Sequence, residues 1–141
     1  MRQLTDKELR RFYEEWIVTS FGPQEAEIAL ERGENGSYLL EPVRYNYDGF
    51  TVGLRIGIEV AIVMEGRPMR DLTETERRTK YGEWRVGNFG AEEAKAALET
   101  DGEGEYVRRE VNVHYSGFAI GLTIGLDVAK PEAERVANEN E

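Results

Sequence analysis

A chain of 141 residues with a formal net charge of −10 and no cysteine is long enough for one ordinary domain or two very small ones, and it excludes disulfides, thiolate metal sites and a thiol nucleophile. The acidity is even, with 8 basic against 12 acidic residues in 1–68 and 10 against 16 in 69–141. That balance opposes direct binding to nucleic-acid phosphates, which needs clustered Lys and Arg, and suits solubility or a partner protein with a basic surface.

Charged residues make up 33% and hydrophobic ones 40%, a globular composition. No apolar run reaches the length of a membrane helix. The N-terminus lacks a basic-then-apolar secretion pattern, so a cytoplasmic protein with no membrane attachment is expected.

Residues 1–61 align without a gap on 69–129, and 29 of those 61 positions are identical. Met1-Arg2-Gln3-Leu4-Thr5 returns as Met69-Arg70-Asp71-Leu72-Thr73, as if a complete short gene had been copied and fused. A chain of 68 residues is marginal alone and commonly pairs to complete its core. The protein therefore reads as a homodimer joined into one polypeptide.

Thr5-Asp6-Lys7-Glu8 and Thr73-Glu74-Thr75-Glu76 are capping boxes. The first predicts a helix over 6–17 with Leu9, Phe12, Tyr13, Trp16 and Ile17 on one stripe. The second copy keeps Tyr81 and Trp84 but carries Arg77, Lys80 and Arg85 in place of Leu9, Phe12 and Ile17. Gly82 predicts a shorter or frayed helix there. Phe21-Gly22-Pro23 and Phe89-Gly90-Ala91 start a second helix, with Pro23 suited to its first position. Gly33-Glu34-Asn35-Gly36 and Asp101-Gly102-Glu103-Gly104 end it.

Next comes an expected hairpin. Asp48-Gly49 and Ser116-Gly117 read as two-residue turns. Phe50, Val52, Leu54, Ile56 and Ile58 fall on alternate residues, as do Phe118, Ile120, Leu122, Ile124 and Leu126, which is the period of a strand with one buried face. Glu41 and Arg109 intrude on that face with opposite signs, and a pseudo-two-fold axis would bring them together as a pair. Gly53, Gly57, Gly121 and Gly125 lie on the other face, where they predict close packing or strand curvature. Residues 62–68 link the copies, and 130–141 form a polar tail.

The resulting fold class is α+β. A tandem duplication of a helix–helix–β-hairpin unit, 1–68 and 69–129, shares one core and builds a pseudo-two-fold antiparallel sheet with helices packed on it. No catalytic residue, metal site or cofactor is assigned. The candidates for binding a ligand or partner are Arg44, Arg55, Glu59, Asn112, His114 and Asp127 on the glycine face, with Tyr45 and Tyr115. A lone histidine, His114, cannot build a multi-histidine zinc site. Glu59 and Asp127 are matched acids without a nucleophile or orienting partner nearby.

Three functions fit. The first is a non-enzymatic acidic interaction module: an inhibitor, adaptor or assembly subunit. Its narrower form is a nucleic-acid-mimicking decoy using Glu14, Glu15, Glu25, Glu27 and Glu31. The second is a small-ligand binding protein or minor enzyme, with a pocket between the hairpins lined by Tyr45, Tyr47, Val113 and Tyr115. The third is a virion or other assembly component that self-associates through strand edges.

Overall fold

The structure, a computed structural model, describes residues 4–63 and 72–139, with side chains for 4–61 and 72–128. Six helices run in chain order among the described residues: α1 (Asp6–Phe21), α2 (Pro23–Ala29), α3 (Glu41–Val63), α4 (Glu74–Phe89), α5 (Ala91–Ala97) and α6 (Arg109–Glu139). The expected α+β fold and its antiparallel sheet are absent among these residues. Their extended pairing consists of two isolated antiparallel bridges, Arg32–Tyr38 and Thr100–Tyr106. Both expected hairpins are single long helices, and Asp48-Gly49 and Ser116-Gly117 lie inside them as ordinary helical residues.

The reason is the glycine spacing. Gly49, Gly53 and Gly57 recur every four residues, as do Gly117, Gly121 and Gly125, so each trio lies on one face of a helix. These faces meet. A Cβ at any of the six would lie under 3.0 Å from a backbone atom of the facing helix, with the carbonyl oxygens of His114, Phe118 and Leu122 on one side and of Asn46, Phe50 and Leu54 on the other. The numbers rise together along both helices, so α3 and α6 run parallel, in register at the offset of the repeat. Each glycine costs about 1 kcal/mol of helix propensity relative to alanine. The return is backbone-to-backbone contact of a kind only small residues allow, with glycine Cα–H groups directed at carbonyl oxygens.

The apolar residues fall on either side of this ridge. Phe50 and Leu54 are fully buried against Leu9, Tyr13, Ile17, Ala26 and Tyr38 of the first repeat, and Ile120 and Ile124 from α6 pack on the same cluster. Phe118, Leu122 and Leu126 join Tyr81, Ala97 and Tyr106 in a second cluster, on which Val52, Ile56 and Val60 from α3 pack. Each core is thus completed by the long helix of the other repeat.

The capping boxes form as the sequence implies: the Thr5 and Thr73 hydroxyls accept from the Glu8 and Glu76 backbone N–H groups, and the glutamates reach back. Gly22 and Gly90 join the first two helices of each repeat with φ of 89° and 88°, a region side chains rarely enter. Pro23 opens α2. Contrary to expectation, Gly82 does not shorten α4, which has 16 residues like α1. Glu41 and Arg109 each start a long helix, are exposed, and share no ion pair, because the helical path places both at solvated ends. The linker 62–68 falls mostly outside the described residues, as do Met1 and Met69. The expected tail continues α6 as helix to Glu139.

Candidate functional site

A groove lies where α1 and α2 meet the starts of α3 and α6. It has a volume of about 360 Å³ and is walled by Tyr13, Trp16, Ile17, Phe21, Pro42, Val43 and Val113, with Glu25, Asn46 and Ser116 as its polar groups. Asn46 is engaged at both its oxygen and its nitrogen. Its carbonyl oxygen accepts from the Tyr13 hydroxyl at 2.8 Å, and its amide donates to the Val113 carbonyl at 3.0 Å, tying α1 and α3 to α6. Glu25 is exposed and has no ion-pair partner among the described residues. The groove is therefore aromatic-walled, with one free carboxylate at its edge.

The second repeat places different side chains at the matching positions. Arg85 stands for Ile17, Tyr45 for Val113, His114 for Asn46, Asp48 for Ser116 and Glu110 for Pro42. The Arg85 guanidinium lies 4.7 Å from the centre of the Phe89 ring and 5.9 Å from that of Tyr81. Trp84 stacks on His114 at 5.3 Å. Glu93, the match of Glu25, pairs with Arg108 at 3.5 Å, whereas the first repeat carries Leu40 at the position of Arg108.

His114 occupies the centre of a polar chain through this second region. The Tyr81 hydroxyl is 2.8 Å from Nδ1, and Nε2 is 2.7 Å from an Asp48 carboxylate oxygen. Because the carboxylate only accepts, Nε2 carries the proton and Nδ1 receives the Tyr81 O–H. Arg85 donates to the Tyr81 oxygen at 3.4 Å. The hydrogen bond from His114 holds the Asp48 carboxyl below its usual range; partial burial opposes this, and the favourable electrostatics of His114 and Arg55 assist it. Burial pushes the Tyr81 hydroxyl up to about 12, against the opposing pull of Arg85. Hydroxyl, imidazole and carboxylate stand in the order of a nucleophile relay, yet the hydroxyl is sealed in the core and hard to ionise. The chain bridges the two repeats from the buried Tyr81 hydroxyl to the exposed Asp48 carboxylate, matching Tyr13–Asn46–Val113.

The other residues singled out by sequence are dispersed. Arg44 donates to the carbonyls of Tyr38 and Leu39, both at 3.0 Å, and Asn112 at the matching position exchanges hydrogen bonds with the Tyr106 backbone. Both tie a loop to the start of a long helix. Arg55 borders a smaller cleft of about 220 Å³ with Asp6, Leu9, Arg10, Tyr47 and Thr51. Glu59 and Asp127 are exposed on α3 and α6.

Tyr45 is exposed, its hydroxyl raised chiefly by the nearby Glu41 carboxylate, while Tyr115 is buried and donates to Glu74 at 2.8 Å. With no hairpins, Tyr45, Tyr47, Val113 and Tyr115 do not surround one cavity: Val113 borders the aromatic-walled groove and Tyr47 the cleft of about 220 Å³.

Sequence reasoning overlooked Trp16, Phe21, Asp48 and Arg85 as site residues. The signal for the last was the Ile17-to-Arg85 exchange within otherwise matched aromatic residues. No group of three or more metal-ligating side chains forms among the described residues, and no helix among them is long and apolar enough to cross a membrane. Comparison with family models, curated proteins and solved structures finds no match for this chain.

Proposed function

We propose that the protein is a non-enzymatic interaction module that binds another protein with a basic surface, as an inhibitor, adaptor or assembly subunit, in the cytoplasm. The observation that carries this reading is a set of large apolar side chains exposed at repeat-matched positions. Val18 and Val86, Phe21 and Phe89, and Leu39 and Val107 are all at least two-fifths exposed. Singly such residues are ordinary, whereas their recurrence at matched positions in both repeats of an acidic chain fits a contact surface. Ile28 and Leu40 add two further exposed apolar side chains in the first repeat.

The test is affinity capture with the intact chain, alongside Phe21→Glu and Phe89→Glu variants that keep the measured helix content. A partner retained by the parent chain, reduced by either variant and released by salt, supports the proposal. A captured set indifferent to both variants and to salt overturns it. Light scattering over a range of concentrations reports whether the partner is a second copy of the chain, which is the assembly reading.

A further inference from the structure

The two repeats treat the same aromatic site differently, and the second one shows what fits it. There, Tyr81 and Phe89 carry the guanidinium of Arg85, and Glu93 carries that of Arg108. In the first repeat Tyr13, Phe21 and Glu25 are all retained, but the two arginines are Ile17 and Leu40. What remains is an open groove of about 360 Å³ bordered by Trp16, Phe21 and Glu25, with no internal cation on that carboxylate.

We infer that this groove receives an arginine side chain from a basic segment of a partner protein, taking externally the cation that the second repeat supplies from its own chain. The inference rests on the interaction reading and names the chemistry of its contact.

The physical case has four parts. Aromatic faces attract a guanidinium, best when both are partly desolvated, and this groove offers Trp16 and Phe21 together. An arginine stem packs against apolar walls while its head stays at the rim, where Glu25 lies; Ile17, Pro42, Val43 and Val113 are such walls. A net charge of −10 favours the approach of a basic segment and disfavours an anionic one. The Tyr13 hydroxyl spends its proton on Asn46 and keeps an oxygen lone pair, the acceptor that Arg85 uses on Tyr81.

The probe is a blocked Ala-Arg-Ala peptide titrated into the intact protein, with matched lysine and norleucine peptides. The readout is the pair of indole N–H resonances of Trp16 and Trp84. The arginine peptide is expected to saturate in the millimolar range, moving Trp16 and leaving Trp84 still, with lysine weaker and norleucine silent.

Glu25→Gln removes the carboxylate charge, and Leu40→Arg supplies the internal cation that Arg108 provides. Both positions are exposed, so the fold is kept, and each is expected to weaken binding by about three- to tenfold. Any of four results overturns the inference: no saturation, equal shifts at both indoles, equal binding of norleucine, or unchanged affinity in both variants. Partner capture that persists in Leu40→Arg, with the arginine peptide inert, sinks the arginine contact alone and leaves the interaction reading standing.

Discussion

Gly57 and Gly125 face each other across the contact of α3 and α6, each so placed that a Cβ on one would lie 3.0 Å from the Cα of the other. The pair continues the ladder begun by Gly49 with Gly117, and it sets how closely the two repeats approach. Gly53→Ala or Gly121→Ala would drive a methyl into a backbone carbonyl that cannot turn aside. The expected loss is about 3 kcal/mol or more, at the upper end of overpacking costs. Gly87 lies in α4 with nothing within 4 Å of its would-be Cβ, so Gly87→Ala should stabilise by roughly 0.5–1 kcal/mol through helix propensity alone. Urea titrations of the three variants check both signs. A tolerated alanine at Gly53 would refute the close approach of the long helices.

The glycines also explain what could be read from the chain beforehand. The repeat was legible as a gap-free match of 1–61 to 69–129, and both capping boxes and the Pro23 helix start because each rests on neighbours within a few residues. The long helices were not. Residues two apart on a helix differ by about 200°, so Phe50 and Leu54 form one stripe, and Val52 and Ile56 another on the far side of the glycine ridge. Interleaved in the sequence, two such stripes look like the alternation of a single strand face. Asp48-Gly49 strengthened the error by imitating a turn. The decisive clue was the third glycine of each trio, Gly49 or Gly117, at the same spacing of four. The site was hidden for a related reason: Asp48 and His114 are 66 residues apart and meet only because α3 and α6 run parallel.

The His114–Asp48 bond predicts a response to acid. Asp48 has its folded-state pKa depressed by the His114 hydrogen bond. Its contribution is therefore complete above the unfolded carboxyl value of about 3.9 and is lost as the pH falls through the lower folded value. Its side chain is 66% exposed, so solvent screening keeps the contribution small, below about 1 kcal/mol. Asp48→Asn keeps an acceptor for Nε2 but removes the charge. It should lower the urea midpoint slightly at neutral pH and flatten its fall between about pH 4 and pH 2. An unchanged acid limb would show that the bond is not made in solution.

At the alkaline end the tyrosines govern stability. All seven have ionisation raised. Burial is the first cause at every one except Tyr45, where the nearby Glu41 carboxylate leads. Tyr81 reaches about 12, and Tyr13, Tyr38 and Tyr115 are pushed higher. A raised phenol leaves stability intact below the unfolded value of about 10 and erodes it as the pH climbs toward the folded one. Ultraviolet titration should show little phenolate at pH 10 in the folded protein, then a steep cooperative rise as the chain unfolds. Several tyrosines titrating freely near 10 would contradict the packed rings around Tyr13 and Tyr81.

Glu74 and Asp6 are matched residues whose one-methylene difference predicts a stabilising change. Partial burial raises the Glu74 carboxyl, but hydrogen bonds from Arg78, Tyr115 and Arg77 outweigh it and hold the group below its usual range. Arg78 Nε and the Tyr115 hydroxyl both reach Glu74 at 2.8 Å, while Arg78 lies over the Tyr106 and Tyr115 rings. In the first repeat Arg10 lies over Tyr38 and Tyr47 in the same way. Asp6 stops short, and the Arg10 Nη1 is buried without a hydrogen-bond partner. Asp6→Glu lengthens the acid enough to reach both Arg10 and Tyr47, as Glu74 reaches Arg78 and Tyr115. The gain should be about 0.5–1 kcal/mol, seen as a higher urea midpoint that shrinks when Tyr47→Phe is added. If the two substitutions are additive in a double-mutant cycle, the lengthened acid is not closing the bridge that the second repeat makes.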